Sequence, residues 1–465
     1  MKLLFICHLY CPIHNAGGET TIHSANRAMV ARGHQVTVIC RPHTEDQLFA
    51  DYEFEGVKVV RPPKYLNDQV WIRKFVRDYD PDLLLTHLDL TTMAMQISLD
   101  TAKPLAHFFH NTMSIPVFNV APHKCQLAIF NSKWVSEFSK WTGPEVVVHP
   151  VVEPGRYRCE RGTKITLVNP TPGKGADTFY GVSKLLPEYE FLTVKSVYGE
   201  QIAVPNIAAH LHPNVETMEH TADIREAFCK TKVLLMPSDY ESFGRVAVEA
   251  ACAGIPTIAH PTPGLLEALG QDVPEWLADY ALARVMNPKL AMPAELKGGV
   301  VCGAAIFCHR DDFESWAEQI KRLMTDEVYY HSRSTAALKL AESLDPESEY
   351  DRLEAALLVT SRDARGQDMS REMWTADRRI FRRADGSLTD KSTEALSLYC
   401  AEGQPMPFDE AVAAGFVPQP SRPAVRVIET MNTDDLTGGK MVEGPAENKA
   451  ISQPAESKSR KRKVA

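Results

Sequence analysis

No stretch of this 465-residue chain stays apolar for the ~18–20 positions a membrane-crossing helix needs, so no transmembrane segment is expected. Basic charge is also short. With 51 Lys and Arg against 60 Asp and Glu the net charge is −9, which argues against a nucleic-acid binder, because duplex binding shows a basic face. The ten cysteines contain no Cys-x2-Cys pair, so a reducing, cytoplasmic setting is expected. Cys7, His8, Cys11 and His14 come nearest to a metal cluster, but Cys-x3-Cys is not a zinc-knuckle spacing and Cys7 belongs to a strand. No metal is expected there. The opening Met1–Cys7 run mimics a signal peptide, yet no small-residue cleavage site follows, and it is read as a first strand leading into Gly17-Gly18.

The chain does have the length for two or three domains and, at 44% apolar residues, the material for sizeable cores. Strand patterns alternate with helical ones over the first 150 residues: Leu3–Cys7, Val36–Cys40, Val57–Val60, Leu83–Thr86, Leu105–Phe109, Leu127–Phe130 and Val146–Val148, with a helix over Thr20–Ala31. This is the pattern of a doubly wound parallel sheet, which binds ligands outside the carboxyl ends of its strands. A second series starts at Ile165–Val168 and runs through Phe191–Val194 and Val233–Met236 to Ile306–Cys308. Helices are predicted over Phe313–Met324, Tyr329–Glu342 and Tyr350–Val359. The connection Gln271–Gly299 is long and suggests no function.

The richest segment runs from Pro237 to Pro256. A strand over Val233–Met236 ends at Pro237-Ser238-Asp239, and a helical stretch from about Phe243 to Ala253 stops at Gly254 and Pro256. Glu241 falls in the loop and Glu249 about two turns into the helix. Ser242, Phe243, Gly244 and Arg245 lie between them, where free backbone amides and the helix dipole hold an anion. Two carboxylates to take sugar hydroxyls and amides to take phosphate suit a nucleotide-sugar.

Glu-x7-Glu with Phe-Gly inside it and Gly-x-Pro after it resembles the donor-site signature of retaining glycosyltransferases of family 4 (GT4), which have the GT-B architecture. The resemblance implies an α/β fold with two Rossmann-like doubly wound domains facing a cleft. It also implies that Glu241 lies at the donor sugar and Glu249 takes the ribose hydroxyls. On the same grounds Gly17 and Gly18 face the donor phosphates, and His110 at a strand end lies near the transferred bond, with His107 as its competitor. Lys174 in Pro172-Gly173-Lys174-Gly175 matches the family's phosphate-binding lysine. Asn169-Pro170 stands where the family has Gly-Arg, so one cation is missing, and Arg245 is either its substitute or a solvent-facing residue. Gly264 and Glu267 resemble the family's Gly-Gly-x-x-Glu element, with Pro263 in place of the first glycine.

The expected layout is an acceptor-side domain over 1–150 and a nucleotide-sugar domain over 151–344. A helix at 345–360 crosses back to the first domain. Residues 361–417 are read as a small accessory module, with a strand and an Asp-Gly turn over Arg378–Ser387 and helices over Thr393–Cys400 and Phe408–Ala414. Residues 418–465, poor in apolar pattern, are read as a disordered tail. Its end, Lys458–Lys463, is the one stretch that keeps a polyanion such as nucleic acid in play. The expected activity is transfer of a sugar from a UDP- or GDP-linked donor with retention. No metal or other cofactor is expected, since the donor half has no Asp-x-Asp at a strand end. Two alternatives remain at this stage: transfer to modified DNA bases, or a GT-B protein that has lost transfer and serves binding or assembly.

Overall fold

Alternate residues of the first strand serve different cores. In β1 (Lys2–Cys7) Leu3, Phe5 and Cys7 pack on one face and Leu4 and Ile6 on the other, all essentially inaccessible. A strand apolar on both faces has to sit inside a sheet covered by helices on both sides. The computed structural model describes residues 1–12, 14–40, 50–62, 69–113, 125–196 and 212–366. Beyond them it describes 373–375, 379–383, 387–391, 397–400, 405–407, 411 and 414–416.

The first sheet continues with β2 (Gln35–Cys40), β3 (Tyr52–Phe54), β4 (Val57–Val60), β5 (Leu83–His87), β6 (Leu105–Phe109), β7 (Leu127–Phe130) and β8 (Glu145–Val147). From β8 inward the order is β8-β7-β6-β5-β1-β2-β4-β3, parallel except for β3. The second sheet comprises β9 (Lys164–Val168), β10 (Phe191–Val194), β11 (Val215–Met218), β12 (Thr231–Met236), β13 (Thr257–Ala259), β14 (Val300–Cys302) and β15 (Ala305–Phe307). Its order is β11-β10-β9-β12-β13-β15-β14. Strand order reverses between β1 and β5 and again between β9 and β12, and those are the points where such sheets open a crevice for ligands.

The long connection after residue 270 folds as a helix, Glu275–Met286, whose Leu277, Tyr280 and Ala281 enter the core of the second sheet. The helix Pro346–Gly366 is longer than the predicted Tyr350–Val359, and the Asp345 carboxylate accepts the Ser348 amide at its start. Its Tyr350, Leu353, Ala356 and Leu357 pack into the core of the first sheet, while Arg32 binds Glu347, Asp351 and Glu354.

Beyond residue 360 the described strands are largely joined to the first sheet. β16 (Met373–Thr375) pairs with β20 (Pro405–Pro407), but β17 (Ile380–Arg382), β18 (Leu388–Thr389) and β19 (Ser397–Cys400) extend the first sheet in the order β18-β17-β19-β8. Leu398 lies opposite Glu145. The predicted helix over Thr393–Cys400 is therefore a strand over its last four residues. The reason is tertiary: β8 offers an open edge, and Ser-Leu-Tyr-Cys fits a pleated ladder. The Asp385-Gly386 turn, most of Phe408–Ala414 and the tail 418–465 lie outside the described residues.

The added strands cover Glu145, whose carboxyl burial pushes up to about 7 despite the Ser136 hydrogen bond and nearby Arg379. Ending the chain at Gly366 is thus expected to lower the melting temperature, with about 1.5–3 kcal/mol lost from fully buried Ile380 alone. Light scattering should rise as the β8 edge is bared. A truncated chain that melts with the full-length one would show that these strands add nothing to the fold.

Candidate active site

The loop after β12 is built by close approach. Gly244 has φ +97°, and a Cβ there would lie 2.5 Å from Leu265 Cδ2. At Gly264 a Cβ would fall 2.3 Å from the Glu241 carbonyl oxygen and 2.5 Å from Ser242 C. Glycine at 264 lets the helix Pro263–Leu269, capped by Thr262, press against the Glu241 loop. The helix Arg245–Cys252 then begins with Gly244 at its N-cap and no side chain bonding its first amides. Gly244, Arg245 and Val246 at this helix start line a cleft of about 870 Å³ between both lobes, the size of a small-molecule site.

Lys174 and Glu241 meet in that cleft. The Lys174 ammonium donates to Glu241 Oε1 at 2.6 Å, and Ser238 Oγ donates to the same oxygen at 2.8 Å. Lys174 sits in a single turn, Pro172–Lys174, after β9, and Gly175 follows with φ +82° against Pro237. Gly17 and Gly18 start the helix Gly17–Ala31 from across the cleft, again with no side-chain cap. Gly18 lies next to His110, whose Cδ2 would be 3.8 Å from an added Cβ.

His110 and His107 are separated by their surroundings. His107 is fully buried in β6, its Nε2 at 2.7 Å from Thr91 Oγ1. His110 lines the cleft, and its Nε2 finds no hydrogen-bond partner among the described residues. Burial pushes its pKa down to about 4, so the ring is neutral near pH 7.

Arg245 is neither solvent-facing nor turned toward Lys174. Its side chain is 9% exposed; Nε donates to Glu249 Oε1 at 2.7 Å, Nη1 to the Val151 carbonyl at 2.9 Å and Nη2 to Tyr157 Oη at 3.1 Å. Burial opposes its charge, but Glu249 and Tyr157 hold its pKa above the usual arginine value. Glu249 is 7% exposed and lines the cleft.

Glu267 lies outside the cleft lining. Its carboxylate accepts the backbone amides of Lys133 (2.6 Å) and Trp134 (3.0 Å), capping the helix Lys133–Ser139 of the first lobe. Its place in the Gly-x-x-Glu element is therefore that of a tie between lobes, and Gly264 acts through the backbone it lets approach. Among the described residues, no group of three or more His, Cys, Asp or Glu side chains is placed to hold a metal ion.

A model of glycosyltransferase family 4 matches residues 16–149, and a model of family 4 glycosyltransferases in conflict systems matches residues 200–357. Together they take in more than half of the chain, including β12 and the Glu241–Glu249 helix. The chain belongs to glycosyltransferase family 4. Among solved structures, this glycosyltransferase resembles the HepE protein of Anabaena in complex with UDP-glucose (16% identical, TM-score 0.58, covering 77% of this chain and 99% of that one). Sucrose-phosphate synthase of Thermosynechococcus elongatus is similar too (13% identical, TM-score 0.57, 76% and 98%). So is the catalytic domain of starch synthase IV from Arabidopsis thaliana bound to ADP and acarbose (11% identical, TM-score 0.55, 77% and 99%). At these identities the likeness shows the GT-B fold. A curated relative, an uncharacterized 41.2 kDa protein in the cps region of Klebsiella pneumoniae, is 45% identical over 53 residues, 11% of this chain and 15% of that protein.

The glycosyltransferase also holds its Tyr240–Ser242 loop with residues that sequence reading passed over. Asn131, just after β7, donates through Nδ2 to the His110 carbonyl (3.0 Å) and to Ser242 Oγ (2.9 Å). Trp134 Nε1 donates to the Ser242 carbonyl at 2.7 Å, and Thr112 N to Tyr240 Oη at 3.0 Å. The available signal was position: Asn131 directly follows a parallel strand, at the carboxyl end where ligands bind.

His149 joins three elements. Nε2 meets Glu267 Oε1 and Nδ1 meets Glu349 Oε1, each at 2.9 Å. Burial pulls its pKa down, but the two carboxylates outweigh it and push it up to about 9 from 6.5. A raised folded-state pKa stabilises fully below the unfolded value of about 6.5 and is lost as pH rises through about 9. The melting temperature of the wild type is therefore expected to fall from pH 7 to 9.5 by more than that of His149→Gln. Parallel curves would refute the charged bridge.

Proposed function

We propose that this glycosyltransferase moves a sugar from a UDP- or GDP-linked donor to its acceptor with retention of configuration, in the cytoplasm and without a metal ion. The observation that carries this reading is the Lys174–Glu241 pair in a cleft lined by two helix starts without side-chain caps and by Glu249. The ammonium and the amides are suited to the negative charge that grows on the departing diphosphate, where preorganised donors act most strongly. Glu249, lining the cleft and held by Arg245, takes the ribose, and His110, neutral, offers its unpartnered Nε2 to a sugar hydroxyl. Glu241 orients the sugar rather than attacking it, because one of its oxygens is engaged by both Lys174 and Ser238. Buried thiols such as Cys7, Cys252 and Cys308, which form no disulfide, favour a reducing compartment.

The test is a panel of UDP- and GDP-sugars, with released nucleotide as readout, the product's anomeric configuration read by NMR, and EDTA in a parallel arm. Nucleotide release from one donor, an unchanged anomer and indifference to EDTA are expected. An inverted product refutes retention, loss of release in EDTA refutes metal independence, and no release from any donor refutes the donor class.

A further inference from the structure

Asp239 stands two residues before Glu241 and joins the loops that carry both members of the charged pair. Its backbone amide donates to the Gly173 carbonyl at 3.0 Å. Its carboxylate is gripped by the Arg310 guanidinium, with Arg284 Nη2 at 3.6 Å. The same Arg310 side chain donates through Nη2 to the Pro172 carbonyl at 3.1 Å, in the turn that ends at Lys174. One planar guanidinium thus holds the loop bearing Glu241 and the loop bearing Lys174.

Arg310 is itself fixed. It is 8% exposed, its amide donates to His260 Nδ1 at 3.3 Å, and its carbonyl accepts Thr178 Oγ1 at 2.9 Å. It follows β15, two strands from β12, and it does not line the cleft. It therefore reaches the donor only through the loops it ties. A lysine is a point charge on a flexible stem, so where its loop is anchored decides where the charge falls. A displacement of about 1 Å at a reacting centre is worth up to 10²-fold. Asn169-Pro170, at the start of this loop, brings no second cation to share the task.

We propose that Arg310, acting with Asp239, is a positioning residue that sets Lys174 against Glu241 at the donor diphosphate. The inference rests on the reading of Lys174 as the diphosphate ligand. An arginine is required because the fork reaches two acceptors, the Asp239 carboxylate and the Pro172 carbonyl, while a lysine reaches one.

The experiment is a double-mutant cycle on UDP and GDP affinity by calorimetry, with melting temperatures alongside. Arg310→Ala is expected to weaken binding of the preferred nucleotide about tenfold in the wild type. In a Lys174→Ala background it should change affinity less than about twofold, since residues acting through one another do not add. Arg310→Lys, which keeps the ion pair with Asp239 and loses the Pro172 bond, should recover the melting temperature while affinity stays reduced. Should Arg310→Ala fail to fold, Arg310→Lys carries the same cycle. Equal losses in both backgrounds, or affinity recovering together with melting temperature in Arg310→Lys, would overturn the positioning role and leave the donor reading intact. A wild type that binds neither nucleotide would overturn the donor reading and this inference with it.

Discussion

Replacing Lys174 by alanine is expected to lower donor turnover about 10²–10³-fold, the scale seen when one preorganised donor is removed from developing charge. The physical reason is local. Lys174 is the cation that meets Glu241, and Asn169-Pro170 provides none beside it. The variant also leaves Glu241, whose side chain is 10% exposed, with only the Ser238 hydroxyl on the oxygen the ammonium held. Nucleotide affinity should fall as well, by about 1.5–3 kcal/mol for a charged hydrogen bond. Measurement of kcat and of UDP and GDP affinity decides it. Unchanged turnover in a folded Lys174→Ala protein would place the diphosphate elsewhere.

Arg245→Ala should cost the most stability, about 3–5 kcal/mol, because it removes one member of a buried pair and leaves the Glu249 carboxylate without its counter-charge. It also strips a donor from the Val151 carbonyl and from Tyr157. A surface arginine would cost no more than about 0.5 kcal/mol, so the two placements are easily told apart by denaturant titration. Arg245→Ala should further weaken nucleotide binding, since Glu249 loses the partner that fixes its rotamer. Glu249→Gln keeps a side chain of the same shape and is expected to be milder for folding than Glu249→Ala, which strands a buried guanidinium. A near-neutral Arg245→Ala would contradict the buried pair.

Much of this molecule is legible in short stretches of chain. Parallel strands covered on both faces are apolar along their length, so Leu3–Cys7, Leu127–Phe130 and Val233–Met236 announce themselves. Pro237, Gly254 and Pro256 mark where a strand and a helix must stop. The spacing from Glu241 to Glu249 follows from a loop running into a helix, and the structure sets both carboxylates in one cleft with Lys174, His110, Gly17 and Gly18. These features depend on propensity and spacing within about twenty residues, and such information is carried by the chain itself.

What the tertiary structure decided is which partner each polar side chain takes. Arg245 reads equally as a phosphate ligand or a solvent-facing residue until Val151, Tyr157 and Glu249 are brought around it from other segments. Glu267 has the spacing of a donor-site element, yet a helix start from the other lobe and His149 lie within its reach. Ser397–Cys400 sits in a stretch patterned for a helix and becomes a strand because β8 leaves an edge to fill. Local pattern determined the elements and the cleft they form. Pairing among charges far apart in the chain was settled only by packing, because a buried charge takes whatever counter-charge the fold delivers and nothing in its own neighbourhood names that partner.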